Sequence, residues 1–390
     1  MAGLIGGYMQ QVVFDVPVKT YMGFDSFGRL GEEAVECGRR ALIVTSTGVS
    51  DAGLHKRIEE ILESRGISSI VFDSIGPDTS SEAIDAAAGL ASAGKAQMII
   101  GIGGVKTLSI ARAVAIVAPS DLRADDYIDG IQPDKPPLPF LSVPSACRDP
   151  FMFKDSIMLT DGRNRSCSLM STAGVYPKAV FIDPETAVTI PSATFTFSIM
   201  DTLMYSIEGY MSEKSNFLSE NLFLKAISAV VTSERRLDEN LTDREAFIKA
   251  ARAGLVTAMG LSMAGPGLGA ALSMIISAGY RVPRVLVSAV ILPIVLEYGL
   301  KVCPEKIARL APILNESTEG LPAVDAAARV IETIRHRIGL KRVQMRLSEF
   351  GIGLDDLSGI ASAVRKFDFI TQLPAPVSTD DLITMLRKTL

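Results

Sequence analysis

The first 185 residues alternate between two kinds of segment, and that alternation narrows the folds open to the chain. Four compact apolar runs stand out: Arg40-Ala-Leu-Ile-Val-Thr45, Ser69-Ile-Val-Phe72, Met98-Ile-Ile-Gly101 and Phe140-Leu-Ser-Val143. Short apolar runs of this kind read as strands buried on both faces. Between them lie longer stretches with helical spacing. Residues 52–64 carry Leu54, Ile58, Ile61 and Leu62 at that spacing, residues 81–93 are rich in alanine, and residues 106–117 continue the pattern. Strands separated by helices imply a parallel sheet with helices on both faces. After Phe181-Ile-Asp-Pro184 the character changes, and from about residue 192 nearly every segment has a helical pattern. The expected class is therefore α/β plus all-α. An α/β domain is expected over residues 1–185 and an all-helical domain over 186–390, with no internal repeat.

Composition excludes several functions. A hydrophobic content of 48% with 21% charged residues suits a globular protein with a large core. The net charge of −5 gives no basic footprint, so nucleic acid is not an expected partner. Cys37, Cys147, Cys167 and Cys303 have no C-x-x-C spacing, which points to a reducing compartment rather than a disulfide framework. The most apolar stretch runs from Val285 to Leu296 and contains Pro293. It is shorter than the roughly 20 residues a membrane span needs, so a core helix is expected, with no membrane partner. The first residues lack a basic region before an apolar run, and the expected location is the cytoplasm. The only two histidines, His55 and His336, are read as solvated helix residues.

Gly101-Ile-Gly-Gly-Val-Lys-Thr107 lies between an expected strand and an expected helix. Glycines there let a phosphate approach the backbone, and a helix N-terminus offers unpaired N–H groups. A plain tight turn also wants glycine. The motif is neither a P-loop nor a full G-x-G-x-x-G, so both readings stay open on the residues alone.

Five segments resemble the iron-containing (group III) alcohol dehydrogenases. Gly101 to Ala115 is similar to their G-x-G-G-G-S-x-x-D-x-A-K-A segment, and Ala41-Leu-Ile-Val-Thr-Ser-Thr-Gly48 to their first nucleotide-binding strand. Ala179-Val-Phe-Ile-Asp-Pro184 resembles their A-x-x-D-P hinge. Asp201-Thr-Leu-Met-Tyr-Ser-Ile-Glu-Gly-Tyr210 resembles their D-A-L-T-H-A-I-E-x-Y helix. Gln372-Leu-Pro-Ala-Pro-Val-Ser-Thr-Asp-Asp-Leu382 resembles their ending. The resemblance implies an N-terminal Rossmann-like dinucleotide domain, a C-terminal helical metal-binding domain and an active site in the cleft between them. It implies NAD or NADP, held near Ser46, Gly101, Gly103, Gly104, Lys106 and Ser145. It also implies assembly as a homodimer or larger.

The departures concern the metal. The family holds its ion with one Asp and three His. Asp201 matches the Asp, but the other ligand positions carry Tyr205, Ala270 and Arg284, and a nearby active-site His is Met274. Alanine has no ligand atom and a guanidinium has no lone pair to give. No metal is expected. The family's P-T-T-x-G-T-G-S-E loop corresponds to Pro144-Ser-Ala-Cys-Arg-Asp-Pro-Phe-Met152, and the Asp beside the ribose is replaced by Ser46, which permits NADP.

Asp201, Tyr205 and Arg284 are the expected catalytic group. A guanidinium beside the carboxylate restores the lost positive charge and can bind a substrate oxygen. Tyr205, one helical turn from Asp201, is expected to give a proton, its pKa lowered by the cation. The expected activity is a metal-independent NAD(P)-linked oxidoreductase acting on a small alcohol or carbonyl compound. The alternative is a catalytically silent relative that binds a nucleotide or ligand, or serves assembly. Cys147 as a nucleophile lacks an accompanying histidine.

Overall fold

Strands buried on both faces cannot alternate apolar and polar residues, and the two central strands of this sheet follow that rule throughout. Every residue of β4 (Met98–Gly103) and β5 (Phe140–Pro144) is buried, as a parallel sheet covered by helices requires. In the computed structural model, which describes residues 12–76, 79–340 and 346–390, they lie near the middle of a six-stranded sheet. The others are β1 (Lys19–Met22), β2 (Arg40–Ser46) and β3 (Ser68–Ile75). A separate hairpin, β6 (Ser156–Thr160) and β7 (Cys167–Ser171), precedes β8 (Ala179–Ile182). The sheet order is β1-β8-β5-β4-β2-β3, all parallel. The N-terminal segment read above for a leader lies outside the described residues.

The crossovers are helical: α1 (Leu30–Val35), α2 (Thr47–Asp51), α3 (Leu54–Glu63), α4 (Ser81–Ala93), α5 (Val105–Val117) and α6 (Ala124–Ile128). Asp183 starts α7 (Pro184–Val188) by accepting the Glu185 N–H at 3.0 Å, with Pro184 preset for the first turn. Five long helices follow: α8 (Ser192–Met211), α9 (Phe217–Glu239), α10 (Arg244–Met263), α11 (Leu268–Tyr280) and α12 (Arg284–Val302). The chain ends with α13 (Pro304–Ala308), α14 (Ala311–Leu314), α15 (Ala323–Leu340), α16 (Leu357–Val364) and α17 (Thr379–Arg387).

The α8 helix is buried on all sides from Ser198 to Met211, so it forms the axis of the helical part. The largest apolar cluster continues from these helices into the loop at Cys147 and Phe151 and onto Val180 and Ile182 of the sheet. The helical part and the sheet therefore share one core. α12 is long and apolar enough to cross a membrane, but 61% of its most apolar window is buried inside the protein, mainly against α8, α11 and α15.

Four expectations are corrected. The span read as one helix over residues 52–64 follows a separate short helix, α2, and starts only after Gly53, whose φ of 74° ends one helix before the next. The edge strand β1 and the hairpin were not legible as strands; both are short, and β1 and β7 are mostly half-exposed. The strand expected at residues 69–72 runs on to Ile75. His55 is half-buried rather than solvated, its Nε2 3.9 Å from Glu59 in the next turn, whereas His336 is exposed as expected.

Candidate active site

The sheet reverses its winding between β2 and β4: β3 lies to one side of β2, while β4 and β5 lie to the other. Loops part at such a switch point and leave a crevice outside the strand ends. Here it opens into a cleft of about 590 Å³. Ser46 after β2, Gly104 and Lys106 after β4, and Ser145 after β5 line one wall. Arg148 and Arg284 line the wall nearer the helical part.

The three glycines of the β4–α5 turn have different roles. A side chain on Gly101 would meet Ala111 Cβ at 2.8 Å, so this glycine lets α5 lie close on the sheet. Gly103 has φ +156° and its Cβ would meet Thr107, so it shapes the turn. Neither lines the cleft. Gly104 does, with nothing within 4 Å of a Cβ, and it stands at the N-cap of α5 with no side chain covering the first N–H groups. That leaves a helix N-terminus open to an anion, with Lys106 beside it.

The polar centre is built on α8. Asp201 is fully buried, and both its oxygens are engaged. Arg284, the first residue of α12, donates Nη1 to Oδ1 at 2.7 Å and Nη2 to Oδ2 at 2.9 Å. This is the fork geometry of a guanidinium on a carboxylate. Ser288, one turn further along α12, donates to Oδ1. Arg148 donates Nη1 to Oδ2. Burial alone would raise the Asp201 pKa, but Arg148 and Arg284 outweigh it and hold the carboxyl below its ordinary range. Burial opposes the charge on both arginines. Asp201 outweighs it at Arg284, whose pKa is raised, but not at Arg148, whose pKa is lowered with Arg284 repelling it.

The sequence places Arg148 in a loop facing the cleft, where it lies, but gives it no chemical role. It reaches Asp201 because Cys147 adopts a left-handed φ of 55° and turns the loop inward. Gly254 on α10 makes room: a Cβ there would lie 2.9 Å from Arg148 Cβ. Nothing in the sequence ties residue 148 to residue 201, although an arginine in place of the family's loop glycine was a signal in itself.

Tyr205 joins the cluster from below. Its hydroxyl accepts from Arg284 Nη1 at 3.1 Å, and the Arg284 guanidinium lies 5.3 Å from its ring centre. It is 1% exposed and does not line the cleft. The expected lowering of its pKa is corrected: burial pushes the phenol up, and the pull of Arg284 is smaller. Cys147 is fully buried, its thiol pushed up to about 12 by burial, and it donates to the Asp183 carbonyl. Lys154 Nζ binds the Leu261 carbonyl at 3.1 Å and, with Asp155, lines a different groove. Ala270 and Met274 are buried in α11, and Met274 reaches the cleft wall. Among the described residues no three His, Cys, Asp or Glu side chains form a group that could hold a metal ion.

Residues 17–184 match the family described as iron-containing alcohol dehydrogenase, and residues 195–390 match the C-terminal domain of the Fe-containing alcohol dehydrogenase family. The chain belongs to the iron-containing alcohol dehydrogenase family. A lactaldehyde reductase of Escherichia coli (strain K12) is 24% identical over 349 residues, covering 88% of this chain and 90% of the relative. A crystal structure of 1,3-propanediol oxidoreductase superposes with a TM-score of 0.90 at 22% identity, covering 98% of this chain and all of the other. A sulfoacetaldehyde reductase from Bifidobacterium kashiwanohense, solved with NAD+, superposes with a TM-score of 0.82 at 19% identity, covering 97% of this chain and 99% of that one.

Proposed function

We propose that this chain is a metal-independent, NAD(P)-linked oxidoreductase that interconverts a small alcohol and its carbonyl compound. The observation carrying this reading is the pair of guanidiniums on Asp201 at the cleft wall. The family's iron does not fit the residues present. Both oxygens of Asp201 already accept from Arg148, Arg284 and Ser288, a divalent ion there would face two fixed cations, and among the described residues no three His, Cys, Asp or Glu side chains form a group to hold it.

A dinucleotide does fit. Gly104 and Lys106 at the open α5 N-terminus suit its phosphates, and Ser46 at the end of β2 suits the adenosine side. With Ser46 in place of an acid, nothing at that position repels a 2′-phosphate, so NADPH is accepted alongside NADH. A bound nicotinamide supplies the hydride.

This chain's own residues do the rest. Arg284 lines the cleft and offers a fixed positive charge to an oxygen that becomes an alkoxide, the electrostatic task a metal performs elsewhere. Asp201 and Tyr205 hold Arg284 in place from behind, so no reorganisation is needed as charge develops. Tyr205 is a positioning residue, since it touches Arg284 and not the cleft. The apolar wall, with Met158, Ile190 and Val282, limits water around the reacting carbon.

Purified protein, dialysed against a chelator and checked by elemental analysis, should still bind NADH or NADPH and reduce members of an aldehyde and ketone panel. Arg284→Met should lower kcat/KM by about a hundredfold, the scale of losing one oxyanion donor. Stoichiometric iron or zinc whose removal abolishes turnover would sink the metal-free reading. Nucleotide binding without turnover across the panel would favour the silent relative.

A further inference from the structure

The cleft has a one-sided charge. Lys106, Arg148 and Arg284 line it, and among the described residues no Asp or Glu does, in a chain whose net charge is −5. Lys106 and Arg284 both act electrostatically on the Cys167 thiol, which also lines the cleft, so they belong to one field. Lys106 stands beside the helix N-terminus that suits the cofactor's phosphates. Arg148 and Arg284 stand elsewhere, on the wall over Asp201.

At that wall two guanidiniums share one carboxylate. Asp149 is the other carboxyl within electrostatic reach of both. It accepts the Phe151 N–H at 2.9 Å and does not line the cleft. Arg148 is 6% exposed, and its Nε is buried without an acceptor among the described residues. A buried charged donor left unpaired is costly, and native proteins seldom keep one. A neutral aldehyde or alcohol brings a single carbonyl or hydroxyl oxygen to two cations. A carboxylate or phosphate brings further acceptor oxygens and the missing negative charge, in the planar geometry that arginine matches.

We infer that the substrate is an anionic carbonyl compound, a short aldehyde or ketone bearing a carboxylate or phosphate near the carbonyl, with Arg148 holding the anionic group and Arg284 the carbonyl oxygen. This rests on the oxidoreductase reading. In the reducing direction the carbonyl carbon takes a hydride from NAD(P)H and the oxygen takes a proton from water. The products are the anionic alcohol and NAD(P)+. Arg148 thereby sets specificity, and two cations close together require the two oxygen-bearing groups to be close as well.

The test uses matched pairs with NADH and NADPH: 2-oxobutanoate against butanone, 4-oxobutanoate against butanal, and glyceraldehyde 3-phosphate against glyceraldehyde. At least one anionic member should exceed its neutral partner in kcat/KM by a hundredfold or more, and which pair shows it separates carboxylate from phosphate. Arg148→Met should erase the preference to within about threefold, and Arg148→Lys should keep part of it. Circular dichroism establishes that each variant is folded, and if Arg148→Met is not, the wild-type preference and Arg148→Lys decide. Equal use of both members, or preference for the neutral one, overturns the inference while leaving the oxidoreductase reading intact. Calorimetric titration of the cofactor-free protein with oxalate and with inorganic phosphate supplies the independent arm. Binding of either that Arg148→Met weakens tenfold or more supports the anion site even if no panel member turns over, an outcome that would count against the redox reading alone. No binding of either, with no anionic preference in rates, overturns the inference.

Discussion

Replacing Asp201 by Asn is the most direct probe of the cluster. The substitution keeps the shape and removes the one negative charge in contact with Arg148 and Arg284, whose side chains are only 8% and 7% exposed. Breaking a buried ion pair by neutralising one partner costs about 3–5 kcal/mol, because the other charge is left uncompensated. Two cations remain here, but both border the cleft and can regain some water, so about 4 kcal/mol is expected. Unfolding entropy is roughly 2.1 cal/mol/K per residue near 60 °C, which gives about 0.8 kcal/mol/K for 390 residues. The loss then appears as a fall of about 5 °C in Tm. Differential scanning calorimetry measures it, with urea titration as a second readout. Sulfate should restore much of the loss, since it supplies the missing charge to the arginines. The contrast is the triple change Asp201→Leu, Arg148→Met and Arg284→Leu, which removes all three charges together and should cost less than Asp201→Asn alone. A fall under about 1 °C for Asp201→Asn, or a triple variant far less stable than the single one, would refute the reasoning.

Other outcomes follow from neighbouring features. Lys106→Ala should weaken NADH or NADPH binding about tenfold, roughly the 1.4 kcal/mol of one exposed phosphate contact, as read by fluorescence titration. Gly254→Ala should lower stability by about 1–3 kcal/mol, the cost of forcing a methyl into a filled space, because its Cβ would sit 2.9 Å from Arg148 Cβ; urea titration measures this. Glu208 is buried and accepts N–H groups from Gly267, Gly269 and Ala270, yet burial still raises its carboxyl from 4.5 to about 7. The folded state therefore holds a proton that the unfolded state has released. Glu208 adds stability below about pH 4.5, and the contribution is lost as pH rises through about 7. Glu208→Gln should flatten that part of the stability profile, measured by urea titration from pH 4.5 to 8.

The layered part of the fold was legible because the central strands carry buried apolar runs and the longer crossover helices bury apolar residues. Leu42, Ile43 and Val44 in β2 and Ile99 and Ile100 in β4 carry that signal. β1 does not, since Lys19 to Met22 pairs with a strand 160 residues away in sequence and is half-exposed. The hairpin is equally weak as a local pattern, and its turn is set by Arg163 binding Asp129 and Asp161, a tertiary arrangement. Asp201 and Arg284 could be paired in advance because the family resemblance assigns both to one site. Arg148 could not, since its path depends on the backbone of Cys147 and on the space left by Gly254. Tyr205 was placed beside the cation correctly by helical spacing, but spacing says nothing of depth, and depth governs its phenol.

Arg148 departs from the sheet and ends on a carboxylate carried by the central helix of the other half. A hinge between the two halves therefore cannot open without stretching that tether. Because the bond lies out of water, added salt does little to loosen it.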